Sequence, residues 1–407
     1  MYEFHPYFTN DGSTGLYNSA CNDIYHSATG ALTEAYEKFI YPIDSNNLLA
    51  KEKINVLDIC YGIGYNTKSF LKFLYENIAL PNNYATVHTD NAKNKTDYYG
   101  KIYTDNIFSK ISITAVDSDE ILLFLSPFIK TGVRHYKNEK LNFNYPNIKK
   151  YLYAAKPKHP PKIYDLINFL LFEKIAQNEP EFLGNDELAS ILNEETYKPY
   201  LNSQIKGLHQ FYLNSCDTFN TEPHKRLNLH NIYYKYLSKH YKNTLKSTKL
   251  EDINFIPKIG DAREIIKVDK NTYDLIFLDA FTPSKCPCLW SLEFFQELYN
   301  HLDEDGMLLT YSMSAPVRNA MLQSGFTIGN NIHEGKCIGT ISVKNPTLIK
   351  HPLSEFEFGL LKTKSGIVYR DKNLTDQNES IIERRNAEVK NSNLISSSKY
   401  KKKFKIL

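Results

Sequence analysis

The residues best suited to chemistry are an acid and the stiff aromatic loop that follows it: Asp279, Phe281, Pro283, Lys285, Pro287 and Trp290, within YDLIFLDAFTPSKCPCLW. A carboxylate in such a place can accept a hydrogen bond from an amine and take its proton, while aromatic rings confine a planar group. The apolar run Leu275 to Leu278 reads as a strand buried on both faces, so Asp279 falls where that strand leaves its sheet. In open α/β sheets ligands bind in the crevice outside the carboxyl ends of the strands. As an N-cap for a helix starting near Leu289, Asp279 would sit about ten residues too early.

The elements that must position this acid lie upstream. Ile54 to Ile59 reads as a strand that carries Asp58, passes through a turn holding Tyr61, Gly62 and Gly64, and opens at Asn66 into a helix with Phe70, Leu71, Phe73 and Leu74 at helical spacing. Glycines there let the backbone approach a ligand closely, and the helix N-terminus supplies free amides. The third glycine of the dinucleotide fingerprint is missing. A methyl-donor site needs only a tight turn beside the donor's amino acid part, with no pyrophosphate to cradle. Asp117 ends a strand read over Ile111 to Val116 and is placed to accept from ribose hydroxyls. Asp261, in Gly260-Asp261-Ala262, ends another and is placed to receive an adenine amine. Four strand-end features in this order predict an α/β, Rossmann-like adenosylmethionine-dependent methyltransferase sheet.

Three segments carry a family likeness. The chain resembles the methyltransferase part of the bacterial bifunctional enzyme that completes 5-methylaminomethyl modification of the tRNA wobble uridine, and its stand-alone relatives. GLYNSACNDIYHSATGALTEAYEKFI is similar to that family's opening element, here Asp23, Tyr25 and Ser27. LDICYGIGYNT is similar to its acid, aromatic, Gly-x-Gly and Asn pattern, and LDAFTPSKCPCLW to its LDGFxPxKxPxxW motif. Cys60 stands in place of the first glycine of the turn, and Ala280 in place of the glycine after the acid; both are small, which keeps the chemistry plausible. About 140 residues separate Asp117 from Asp261, more than the family's path requires, so the middle of the chain lies outside the resemblance.

The resemblance implies Asp279 as the catalytic residue, and Asp58, Tyr61, Gly62, Gly64, Asn66, Asp117, Asp261 and Ala262 as donor-binding residues. Tyr25, Phe281, Pro283, Lys285 and Trp290 would contact the substrate. It implies S-adenosyl-L-methionine as methyl donor, with the tRNA anticodon loop as partner and a separate FAD-dependent oxidase acting upstream. No second Gly-rich strand-turn-helix unit is read after residue 346, so no FAD is expected, and the cysteine spacing leads to no metal. The expected reaction is N-methylation of 5-aminomethyl-2-thiouridine. An aminopropyltransferase acting on polyamines, or a non-catalytic tRNA-binding protein on the same fold, are the alternatives.

At 407 residues, 42% hydrophobic and 23% charged, the chain has the composition of a globular protein of two to three domains. A net charge of +3 excludes a general polycation, so any RNA contact must come from a local patch. Cys21, Cys60, Cys216, Cys286, Cys288 and Cys337 show no framework spacing and read as reduced thiols. Cys286-Pro287-Cys288 lacks the second close pair of a zinc site. No leader and no run of membrane-spanning length is visible, so a cytoplasmic location is expected.

The expected organisation is a discontinuous methyltransferase domain over 1–125 and 252–346, a helical insertion over 126–251, and a C-terminal extension over 347–407 that is mobile from about 371. Residues 81–106 read as a polar surface insertion. The insertion shows helical periodicity over 166–177, 187–195 and 229–243, and its basic, tyrosine-rich segment 224–242 is the first candidate for touching RNA phosphate. The basic end KYKKKFKIL is a second.

Overall fold

The computed structural model describes residues 4–19, 23–25, 29–78, 107–131, 162–194, 196–197, 200–201 and 241–403. They fall into two compact units, one drawn from Met1–Tyr36, Tyr61–Ile113 and Asp119–Pro257, the other from Glu37–Cys60, Thr114–Ser118 and Lys258–Leu407. The expected insertion at 81–106, the expected helix at 229–243 apart from its last three residues, Ser27, Cys21 and Cys216 lie outside the described residues.

The first unit opens with an antiparallel sheet of β1 (Phe4–Phe8), β2 (Thr14–Asn18) and β3 (Asp23–Ile24). Its first turn is fixed by Asp11, whose Oδ1 accepts from Thr9 Oγ1 at 2.8 Å and from the Ser13 amide at 3.0 Å. The helix Tyr65–Ile78 buries Phe70, Leu71 and Leu74, the stripe its spacing demands. Lys162–Asn178 and Asp186–Asn193 are helices, and the first of them buries Ile167, Phe169, Leu170, Leu171 and Ile175.

A seven-stranded mixed sheet has five strands wholly in the second unit, together with the C-terminal ends of the other two. Its strands are β4 (Ile54–Ile59), β5 (Ile111–Asp117), β6 (Asn254–Ile259), β7 (Tyr273–Leu278), β8 (Leu302–Thr310), β9 (Thr327–His333) and β10 (Lys336–Val343), in the order β6-β5-β4-β7-β8-β10-β9. β4, β7 and β8 run parallel, and every residue of β7 is buried, as a strand covered on both faces requires. β10 returns antiparallel to both β8 and β9. Its hairpin with β9 closes through Glu334 and Gly335, both at positive φ (47° and 75°), the two-residue turn whose twist matches the strands. The strand order reverses beside β4, with β5 on one side and β7 on the other. That reversal makes the carboxyl end of β4 the switch point of the sheet.

The C-terminal extension departs from the mobile tail expected beyond 371. Asn378–Asn391 is a helix with Ile381 fully buried, and Arg385 donates to the Ile367 carbonyl at 2.7 Å while its guanidinium lies 4.8 Å from the Tyr369 ring centre. The polarity that suggested a tail belongs instead to side chains with partners: Asp371 pairs with Arg263 at 2.7 Å, and Arg384 with Asp376 at 2.7 Å.

Candidate active site

At the edge of the sheet in the second unit, backbone bonds carry the ladder beyond the strands. The register pairs Asp58 with Phe277 and Ile59 with Leu278, and the Asp279 amide then donates to the Ile59 carbonyl at 3.3 Å. The Gly260 amide does the same to the Asp117 carbonyl at 2.8 Å. Asp261, Asp117, Asp58 and Asp279 therefore follow one another along the carboxyl edge of four neighbouring strands. Asp58 and Asp117 are buried, while Asp261 and Asp279 are half-buried.

Cys60 reports the field at this edge. Loss of solvation pushes its thiol well up, and the nearby carboxylates of Asp117 and Asp279, the Cys288 sulfur and Asp58 push in the same direction. Burial disfavours a charge of either sign there, but the carboxylate part of the effect favours a cation, and a sulfonium is one. The backbone at Cys60 is left-handed, φ 62°, the conformation for which the family's glycine is suited.

Asp261 serves first as the N-cap of the helix Ala262–Val268, accepting from the Arg263 amide at 2.8 Å. Its other contacts are with the Arg263 guanidinium, at 3.1 Å from Nε and 2.7 Å from Nη2. Burial alone would raise the Asp261 carboxyl, but these hydrogen bonds hold it below the usual carboxylate range. Arg263 reaches on to the fully buried Asp371 at 2.7 Å and to the Asp376 carbonyl at 2.9 Å. The sequence singled out neither Arg263 nor Asp371, which lie 108 positions apart.

The loop after Asp279 is built from within. Lys285 and Cys286 amides both donate to the Thr282 carbonyl, at 2.8 and 3.0 Å, and the Tyr311 hydroxyl donates to the Ala280 carbonyl at 2.8 Å. Phe281 and Pro283 are half-buried and Lys285 is exposed. Trp290 departs from its expected role as a substrate contact. It is fully buried, packs edge-on against Tyr311 at 5.8 Å, and donates from Nε1 to the Phe281 carbonyl at 2.8 Å, so it holds the loop from behind. Ser291 caps the following helix, Leu292–His301, by accepting from the Phe294 amide at 3.2 Å, which removes Asp279 from that duty. Cys286 and Cys288 sulfurs lie 3.6 Å apart, both cysteines free, and no group of three metal-binding side chains occurs among the described residues.

In the first unit, the glycine turn is held by its own tyrosine. Gly62 and Gly64 have φ of 56° and 80°, and a Cβ on Gly64 would fall 2.4 Å from the Tyr61 hydroxyl. That hydroxyl lies 2.9 Å from Ser126 Oγ, which donates to the Ile63 carbonyl at 2.9 Å. Asn66 is buried in the first turn of the helix. One residue beyond Thr67, Lys68 is fully buried and donates to the Ser126 carbonyl at 2.8 Å, and burial lowers its ammonium to about 7. Tyr25 packs edge-on against Phe4 at 5.3 Å, and its amide donates to the Leu16 carbonyl at 2.8 Å.

Residues 224–342 match the family described as S-adenosyl-L-methionine-dependent methyltransferase. Over 70 residues the chain is 36% identical to the tRNA 5-methylaminomethyl-2-thiouridine biosynthesis bifunctional protein MnmC of Delftia acidovorans. The chain carries an MnmC-like methyltransferase domain. That match takes in 17% of this chain and 11% of the Delftia protein. An uncharacterized protein of Methanocaldococcus jannaschii is 35% identical over 130 residues, 31% of this chain and 36% of that protein. The chain thus spans about a third or less of the curated relatives it matches. The crystal structure of MnmC2 from Aquifex aeolicus superposes with a TM-score of 0.56 at 20% identity, covering 96% of this chain and 86% of that one, and so shares the α/β, Rossmann-like fold. Within the methyltransferase domain the family match takes in Asp261, Asp279 and the whole loop to Trp290.

Proposed function

We infer that this protein transfers a methyl group from S-adenosyl-L-methionine to the amine of 5-aminomethyl-2-thiouridine at the wobble position of tRNA. The observation that carries the reading is the succession of Asp117, Asp58 and Asp279 along the carboxyl ends of three neighbouring strands, with the Asp279 amide bonded to the Ile59 carbonyl. The named activity of the MnmC relatives supplies the substrate class.

The residues at the edge in the second unit fit the donor, since carboxylates at neighbouring strand ends suit a sulfonium. When bound, S-adenosyl-L-methionine supplies an electrophilic methyl carbon. Asp117 would hold ribose hydroxyls, Asp261 and Ala262 the adenine, and Asp58, Tyr61, Gly62, Gly64 and Asn66 the amino acid part. Asp279 is pinned through its amide to Ile59, which fixes where its carboxylate points from. That carboxylate accepts a hydrogen bond from the neutral amine, aims the lone pair, and takes the proton released as the nitrogen–carbon bond forms and the carbon–sulfur bond breaks. Phe281 and Pro283 would flank the flipped base, with Lys285 near its phosphate.

Asp279→Ala should lower methyl transfer to tRNA bearing the free aminomethyl group by at least ~100-fold, the scale of a lost acid–base group, with donor binding retained by calorimetry. An unimpaired variant would refute the assigned role.

A further inference from the structure

The extension over 347–407 carries thirteen Lys and Arg against seven Asp and Glu, so its charge of +6 exceeds the +3 of the whole chain and leaves the preceding residues at −3. Three of its seven acids are spent on internal ion pairs. Glu357 accepts from Arg318 at 3.1 Å, Asp371 from Arg263 at 2.7 Å, and Asp376 from Arg384 at 2.7 Å. The cations left over concentrate on one element. Ser397–Lys403 is a helix carrying Lys399, Lys401, Lys402 and Lys403, all exposed, and among the described residues none of the four forms an ion pair.

This helix is docked. The Tyr400 ring stacks on Phe356 at 5.7 Å with planes 25° apart, and its hydroxyl donates to the Glu355 carbonyl at 3.5 Å. Gly359, on the helix Glu355–Leu361, leaves the space this requires, since a Cβ there would fall 1.6 Å from the Tyr400 hydroxyl. The approach to the helix is also tied, with the Lys364 amide donating to the Ile395 carbonyl at 3.0 Å. Four like charges held close together without counter-charges repel one another, a cost that an anionic partner with closely spaced charges would offset.

We propose that the docked helix Ser397–Lys403 is an RNA-binding surface that engages the phosphate backbone of the tRNA away from the methylated base. The identity of the RNA rests on the proposed function; the surface itself does not. Phosphate contacts of this kind add affinity and salt dependence without sequence preference.

The test compares the full chain with a variant in which Lys399, Lys401, Lys402 and Lys403 are all changed to Gln. Binding to unmodified tRNA is measured from low to physiological salt, and methyl transfer is measured on tRNA lacking the methyl group. Loss of four phosphate contacts should flatten the slope of log affinity against log salt by about three. KM for tRNA should rise roughly tenfold or more at moderate salt, with kcat at saturating tRNA held. Gly359→Ala, which displaces Tyr400, should weaken tRNA binding while leaving the charge unchanged. Equal slopes for wild type and the lysine variant would overturn the proposal, as would a variant that loses binding to phosphatidylserine vesicles but not to tRNA. If the wild type binds tRNA with the expected slope and transfers no methyl group, the proposed function fails and the RNA surface stands.

Discussion

At the scale of single residues, Cys60 is the most exposed to test. Its φ of 62° puts a side chain in a conformation that costs an L-residue about 1 kcal/mol. Cys60→Gly should therefore stabilise the fold by up to about 1 kcal/mol in denaturant titration. Cys60→Val, branched at the same backbone angle, should destabilise it. Lys68 gives a pH signature. Its folded value of about 7 lies below the 10.5 of the unfolded chain, so between those values the unfolded state binds more protons and stability rises with pH. Lys68→Met should raise the melting temperature near pH 7, and the gain should shrink toward pH 10; a gain independent of pH would mean the ammonium is not buried. Trp290→Phe removes the donor to the Phe281 carbonyl and should cost about 1 kcal/mol of stability, with donor affinity unchanged by calorimetry.

At the scale of elements, the extension acts as a buttress for the acidic edge. Arg263 joins Asp261 to the buried Asp371, and removing one partner of such a pair strands the other charge. Asp371→Ala should cost about 3 kcal/mol or more. Asp376→Ala, whose side chain meets Arg384 near the surface, should cost less than about 1 kcal/mol. Chemical denaturation of both variants decides it. Local pattern announced β4 and β7 clearly, because an apolar run ending in an acid needs no distant information. The helix Tyr65–Ile78 was legible too, because Phe70, Leu71 and Leu74 recur at helical spacing and are buried. The buttress was not: a polar stretch with Asp371, Arg384 and Arg385 looks like a tail until its partners, Arg263 among them, are brought beside it. Trp290 was misjudged because an indole in a loop motif has the same letter whether it faces a ligand or the core. The left-handed backbone at Cys60 was hidden too, since that position's conformation is set by the turn and not by the residue.

At the scale of the whole molecule, a methyltransferase sheet with an anionic edge is joined in sequence to an extension of net +6. The division of labour this suggests, chemistry at the strand ends and phosphate contact at the C-terminal helix, separates catalysis from binding in a way kinetics can resolve. The most direct measurement is mass spectrometry of nucleosides from tRNA that carries the free aminomethyl group, after incubation with the purified protein and S-adenosyl-L-methionine bearing a deuterated methyl group. The account predicts one deuterated methyl group on the wobble aminomethyl nitrogen, abolished by Asp279→Ala. Label absent from that nucleoside, from a protein shown by calorimetry to bind the donor, would contradict it.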